Sequence, residues 1–379
     1  MKKYLISALA AALAACSSGS LPDPKPLENF SPSALLHHAW STKANNGDQE
    51  CHLTLQPLIM NDTLYSAGNN GEISAIDIHT GKRLWHSEYE QLPFSSNIAS
   101  YHGSLYIGTS QAQVAKIDQA TGALLWTQSV PSTVMAAPIA NDKAVFVKTI
   151  NDTLTALSTT DGTPLWNTQE PMPSLVLRDA SNPVLAGDQL YVGFADGVFS
   201  VFSTQTGNTI WRKQITLSDG KTDVERMIDI GATPVLDKNT LYIAVYQNFI
   251  VALDLAQQRE YWRYSASVHH DITTDRDSLY LTDADDNVIA LNKATGQVVW
   301  KQEALQYRSL SAPLSIDDML VIGDSAGYLH CLSKTDGHFI ARTHTDDSGI
   351  RATPLFKDGH IIVQTNKGRV YAFEAKLKS

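Results

Sequence analysis

The stretch AIDIHTGKRLW, residues 75–85, decides the fold. It reads as the end of one strand, a turn at Thr80-Gly81, and the start of a second strand marked by Trp85. The phrase returns as KIDQATGALLW ending at Trp126, ALSTTDGTPLW at Trp166, VFSTQTGNTIW at Trp211, ALDLAQQREYW at Trp262 and ALNKATGQVVW at Trp300. A further copy, CLSKTDGHFIA, puts Ala341 where Trp is expected. The seven tryptophans, from Trp40 to Trp300, lie 45, 41, 40, 45, 51 and 38 residues apart, the spacing of a repeat array. Ahead of the phrases, apolar and polar residues alternate between Asn, Asp and Gly turns, as in NPVLAGDQLYVGF (182–194) and TPLFKDGHIIVQT (353–365). No window sustains a helical period, so the chain reads as all-β.

Four short strands per ~40 residues is the unit of a β-propeller blade. One four-stranded sheet cannot cover both of its faces, whereas blades stacked round an axis bury both. Gly81, Gly122, Gly162, Gly207, Gly296 and Gly337 supply the left-handed backbone that a tight turn needs. Each Trp opens an outermost strand and is expected to pack on the neighbouring blade, contributing on the order of 3 kcal/mol if fully buried. A small residue ahead of the Asp-type position (Ala75, Ala115, Ala156, Ala252, Ala290, Ala372, with Cys331 as the seventh-repeat copy) implies a crowded contact. The chain ends in three strands lacking a Trp strand and begins with a Trp strand, around Trp40, lacking its other three. Joined, they complete an eighth blade, so we expect an eight-bladed β-propeller of four-stranded blades, the last closed by the N-terminal Trp strand, with no free edge at the seam.

Composition bounds the function. Asp plus Glu number 39 against 29 for Lys plus Arg, a formal charge of −10, which argues against a general nucleic-acid binder. Residues 1–15 read as a signal peptide: Lys2 and Lys3 precede an apolar run too short to span a bilayer. The run closes on Leu13-Ala14-Ala15-Cys16, which resembles a bacterial lipobox and so implies lipidation of Cys16. Ser17 follows instead of Asp, which under the rule for such lipoproteins points to the outer membrane. Without Lys2 and Lys3 the body holds 27 basic and 39 acidic residues, a charge of −12, so its lipid and not its basic residues would hold it at a membrane. Residues 16–29 read as a flexible, Pro-stiffened tether and 30–379 as the propeller.

The phrase Ala-x-Asp-x-x-Thr-Gly-x-x-x-Trp resembles the repeat of quinoprotein-dehydrogenase-type propellers. Known quinone-dependent dehydrogenases of this type are larger, and many carry adjacent cysteines, whereas Cys16, Cys51 and Cys331 are far apart. The lipobox, the bare propeller, and the stretches PSLVLRDASNP (173–183), ERMIDIGATP (225–234) and VIGDSAGYLH (321–330) are similar to the BamB family. That resemblance implies a non-enzymatic scaffold without cofactor or metal in the outer-membrane β-barrel assembly machine, lipid-anchored and facing the periplasm. It further implies binding to the periplasmic POTRA domains of BamA, with unfolded outer-membrane clients as a second partner class. A quinone-dependent dehydrogenase and a periplasmic ligand-binding propeller are the alternative functions.

Loop lengths locate a binding surface independently. From each Trp to the Pro, or its equivalent, opening the next blade the distance is 17, 13, 12, 17, 23, 10 and 13, and 13 again from Ala341. The largest excesses in consecutive blades, Trp166 to Pro183 and Trp211 to Pro234, belong on one face, side by side. The first carries Leu175, Leu177 and Arg178; the second carries Glu225, Arg226 and Asp229. Apolar residues beside Arg on a rim suit a protein–protein hot spot. The residues alone leave two readings open: docking, or a local satellite core with Arg178 paired to a nearby carboxylate. The resemblance favours docking and matches Leu175, Leu177, Arg178 and Asp229 to the family's contact positions, with Gly231 departing where relatives can carry Asp.

Other signals weigh less. Asp283, Asp285 and Asn287 have calcium-loop spacing, but Val288 and Ala294 replace the required Gly and Glu, so a turn is expected. His37-His38 and His269-His270 are adjacent pairs that point to opposite sides of a strand. Cys51 and Cys331 fall in the first and seventh blades and are expected as buried free thiols. No Gly-x-Ser-x-Gly elbow or Gly-rich phosphate loop occurs.

Overall fold

In a computed structural model, the described residues are 22–47, 55–171, 181–195, 197–216, 228–268 and 270–377. They form eight four-stranded antiparallel sheets, and no helix occurs among them. Blade 1 runs Leu58–Met60, Thr63–Ala67, Glu72–Asp77 and Arg83–Glu88 from the axis outward, and blades 2 to 7 repeat that order. Blade 8 takes Leu355–Lys357, His360–Gln364 and Arg369–Leu377 from the C-terminus and its outer strand, Ala34–Lys43, from the N-terminus. The expected eight-bladed ring and its closure are therefore both present.

The repeated phrase explains how each blade holds the next. The Asp77 carboxylate accepts the Thr80 hydroxyl (2.7 Å) and the Thr80 N–H (2.8 Å), so the turn reaches Gly81 at φ +69°. These hydrogen bonds from Thr80, with those of the backbone, hold Asp77 below its ordinary pKa, and Thr121 does the same for Asp118. The turn glycine then lies under the indole of the preceding blade. A Cβ at Gly81 would stand 2.6 Å from Trp40, and one at Gly337 2.6 Å from Trp300. The indole N–H groups complete the contact, Trp40 donating to Ile78 O (2.8 Å) across the closed seam and Trp300 to Lys334 O (2.7 Å).

The small residue lies at a crowded contact between sheets, as expected: Ala75, Ala156, Ala252, Ala290 and Ala372 are fully buried in clusters shared with the next blade. Ala75, Ala156, Ala252, Ala290 and Ala372 are the direct cross-strand partners of Trp85, Trp166, Trp262, Trp300 and Trp40. Ala115 departs from this scheme: in blade 2 the register puts Lys116 opposite Trp126, and Lys116 Nζ donates to Thr159 O (2.7 Å). Ala341 departs for a different reason. The outer strand of blade 8 is the N-terminal strand Ala34–Lys43, so its third and outer strands are not joined by a Thr-Gly turn that a seventh-blade indole could cover, and Ala341 shares a buried cluster with Ala34 and Phe373.

The apolar core lies between blades. Ile73 and Ala75 of blade 1 pack with Leu105, Ile107, Ala115 and Ile117 of blade 2, and equivalent clusters follow round the ring. Cys331 is a buried free thiol, as expected, pushed up to about 12 by burial. Cys51 lies outside the described residues, as does His269. The Asp283 loop is the expected turn: its carboxylate accepts from Asp285 N (3.0 Å), Asn287 N (2.9 Å) and Asn287 Nδ2 (2.7 Å).

Residues 22–29 differ from the expected flexible tether, because they lie along the outside of blades 6 and 7. Lys25 N–H donates to Gln306 O (3.0 Å), Leu27 packs into the cluster between those blades, and Phe30 stacks on Phe339 at 5.3 Å. Composition rich in Pro and polar residues reads as a linker, while two apolar side chains at the right separation suffice to dock it.

Candidate functional site

The two long connections leave the outer strands Pro164–Gln169 of blade 3 and Thr209–Gln214 of blade 4 and return at Val184 and Val235. Leu175, Leu177, Arg178, Glu225 and Arg226 fall outside the described residues, and so does Cys16. The roots of both connections are described, and they are joined. Ser181 Oγ donates to Ala232 O (3.0 Å), and Asn182 Nδ2 to Thr233 Oγ1 (2.8 Å), across 51 positions of sequence. Asn182 Oδ1 in turn accepts Ala137 N–H (2.7 Å), so the roots are tied round the ring as well as to each other.

Apolar residues pin the second root. A Cβ at Gly193 would stand 2.4 Å from Ile230, so the last residue of that strand is Gly because Ile230 sits on it. Ile228 packs near Gly197, where a Cβ would stand 3.1 Å from it and where the backbone has φ +72°. Between them Asp229 is only 6% exposed, and its carbonyl accepts Tyr246 N–H (2.8 Å). Of the six rim residues read from the sequence, Asp229 is thus a buried one, which suits holding the loop from inside better than meeting a partner directly. Below the first root lies a buried ion pair, Lys148 Nζ to Asp152 at 3.5 Å, with Lys148 also 5.3 Å from the Phe194 ring centre. Asp152 receives Ala195 N–H (3.2 Å), joining blade 3 to blade 4. On the outer strands Arg212 Nε donates to Glu170 (3.2 Å) and repeats that link at the rim. The adjoining blades therefore form a stiff base for both connections.

A second polar assembly, not foreseen in the sequence, crosses blade 7. The Asp324 carboxylate accepts Arg308 Nε (2.7 Å) and His330 Nε2 (3.0 Å) on one oxygen, and Ala326 N–H (3.0 Å) and Tyr328 N–H (2.9 Å) on the other. Arg342 Nε donates to His330 Nδ1 (3.1 Å), which assigns the proton of the neutral imidazole to Nε2. Burial pushes His330 down, outweighing the hydrogen bond and charge of Asp324, and the Arg342 and Arg308 charges push the same way. Burial also opposes the Asp324 charge, but the hydrogen bond and attraction of His330, with the Tyr328 N–H and Arg308, hold this carboxyl below its ordinary value. The stretch 321–330 contains Asp324 and His330, but nothing in its spacing reveals that Arg308 and Arg342 close on them.

Two His-carboxylate groupings occur among the described residues, Asp62–His79–Asp358 and Glu72–His86–Glu88. The first is exposed; in the second, Glu72 accepts Asn46 N–H (2.7 Å) and His86 Nδ1 engages Ser74 Oγ (2.9 Å). Neither makes a built metal centre.

The fold and the paired long connections define an eight-bladed repeat propeller with two neighbouring long connections. Comparison with known proteins narrows the class. A family model described as outer membrane protein assembly factor BamB matches residues 39–302 and 307–377. Proteins of that name from Kangiella koreensis and Pseudomonas aeruginosa are 33% and 32% identical, aligned over 96% and 98% of this chain and 94% and 98% of their own. The crystal structure of BamB from Moraxella catarrhalis superposes with a TM-score of 0.81 at 23% identity, covering 89% of this chain and 99% of that one. A quinohemoprotein alcohol dehydrogenase from Comamonas testosteroni shares the fold alone, at a TM-score of 0.74 and 13% identity over 91% of this chain and 78% of its own. The chain belongs to the BamB family of outer membrane protein assembly factors.

Proposed function

We propose that the protein is a non-enzymatic scaffold of outer-membrane β-barrel assembly, anchored to the outer membrane by lipid on Cys16 and facing the periplasm. Its partner is the periplasmic POTRA region of a BamA-type barrel subunit, and unfolded outer-membrane clients are the second class it serves. The observation that carries the reading is family membership over nearly the whole propeller, combined with two long connections whose roots are hydrogen-bonded side by side. Leu175, Leu177 and Arg178 supply the contact, with Glu225 and Arg226 beside them, and Asp229 orients the second connection from within. The central strands carry packing and blade-to-blade hydrogen bonds, so the ring acts as a rigid mount. No observation favours the dehydrogenase or ligand-binding alternatives over this reading, since likeness at 13% identity speaks only to fold.

The test is co-purification from solubilised outer membranes. Arg178→Glu should weaken recovery of the barrel subunit by on the order of tenfold or more, since an arginine hot spot is being reversed in charge. Thermal unfolding should stay unchanged. Equal loss of fold and binding would assign these residues to a satellite core.

A further inference from the structure

Within the docked N-terminal segment, two arginines of the blade 7 relay hold the backbone from opposite ends. Arg308 Nη1 donates to Lys25 O (3.0 Å), and Arg342 Nη1 donates to Glu28 O (2.9 Å). The Arg342 guanidinium also lies against both rings of the Phe30–Phe339 stack, 5.0 Å from Phe30 and 4.8 Å from Phe339. Lys25 Nζ adds a bond to Glu303 O (3.0 Å), and Ser33 N–H one to Ile340 O (3.0 Å). Because Arg308 and Arg342 are themselves oriented by Asp324 and His330, their donors are aimed before the segment arrives. A solvated linker has no need of such a mount.

We propose that the segment from Lys25 to Phe30 is a docked strap that sets where the lipid anchor leaves the ring, so that the outer rim of blades 6 and 7 is the surface held against the lipid bilayer. This rests on the lipidation of Cys16 proposed above. The lengths decide it. Measured from Ala34, where the chain joins blade 8, an undocked tether to Cys16 has 18 residues and a maximum reach of about 60 Å. Measured from Lys25 it has 9 residues and reaches about 30 Å. A compact body of this size has a radius of gyration of about 20 Å and a diameter of about 50 Å. The longer tether spans the whole body and leaves its orientation free; the shorter one cannot pass round it. The body, at −12, has no net attraction to an anionic bilayer that would orient it otherwise. Strap and anchor thus also place the blade 3 and 4 connections on the part of the ring away from the bilayer, open to a periplasmic partner.

The test uses the full-length lipoprotein with Cys51→Ser, labelled at Val299→Cys on blade 6 or Leu125→Cys on blade 2, two exposed outer-strand positions. It is reconstituted in phosphatidylethanolamine–phosphatidylglycerol vesicles carrying a headgroup energy acceptor. Energy transfer should be at least about twofold stronger from position 299 than from 125, as the shorter tether requires. Leu27→Ala with Phe30→Ala, which leaves the ring's own strands untouched, should equalise the two and remove hydrogen-exchange protection of Lys25 and Ser33. Equal transfer with the strap intact, or asymmetry that survives the double substitution, would overturn the proposal while Cys16 carries its acyl mass. Absence of that mass would overturn the anchor reading itself, and mass spectrometry of the N-terminal peptide separates the two failures.

Discussion

Replacing Asp324 with Asn tests the blade 7 relay with almost no change of shape. The side chain is fully buried, and Arg308 beside it is 8% exposed. One oxygen keeps its two backbone donors, Ala326 and Tyr328. The other becomes an amide NH₂ facing two groups that are also donors, Arg308 Nε at 2.7 Å and His330 Nε2 at 3.0 Å. The imidazole cannot simply switch tautomer, because Arg342 Nε already donates to its other nitrogen. The substitution therefore strands a buried guanidinium charge and leaves two donors unanswered. Removing one partner of a buried ion pair costs about 3–5 kcal/mol, and that is the expected loss in equilibrium urea unfolding. Adding Arg308→Met should recover part of it by removing the stranded charge, a coupling that a double-mutant cycle would read directly. A loss below about 1 kcal/mol would refute the reasoning, since it would mean the pair is solvated as a surface pair is.

The same relay should make stability pH-dependent. His330 is held below its unfolded pKa, so the unfolded chain binds the proton first, and stability should decline as pH falls below about 6.5; Asp324, also depressed, adds a loss below about 3.8. His330→Gln should flatten the first decline in thermal unfolding measured between pH 7.5 and 5.5, and an unchanged slope would count against it. Trp262 donates its indole N–H to Lys293 O at 2.8 Å, whereas Trp126 Nε1 finds no acceptor among the described residues. Trp262→Phe should accordingly cost about 1 kcal/mol more than Trp126→Phe in denaturant titrations. Cys331, with its thiol pushed up to about 12, should resist alkylation at pH 8 in the native protein and react fully once unfolded.

The ring was legible because its causes are local and recur. Asp77, Thr80 and Gly81 lie within five positions of one another, so their turn is written in adjacent letters, and Trp85 follows at a fixed offset. The adjacency of the two long connections also follows from order along the chain, since consecutive blades are neighbours. Less of the rim was legible: the length of the 211–234 connection is visible, but the seat of Ile230 on Gly193, which buries Asp229, is not. The fate of residues 22–29 was missed outright. Their composition describes an unattached linker, and what attaches them lies about 280 to 315 positions away, in Gln306, Arg308, Phe339 and Arg342.

By itself, then, the amino-acid sequence determined the all-β character, the number of blades, the packing of the tryptophans on the neighbouring blade and the closure of the ring by Trp40. These depend on short-range pattern and on burial repeated many times over, so each copy corroborates the others. Tertiary structure alone decided the relay from Arg308 through Asp324 and His330 to Arg342, and the path of the strap it holds. That assembly occurs once, from side chains brought together by blade stacking. A contact made a single time across long separation leaves no periodicity to read, because its free energy comes from desolvated charges meeting in space and not from any order along the chain.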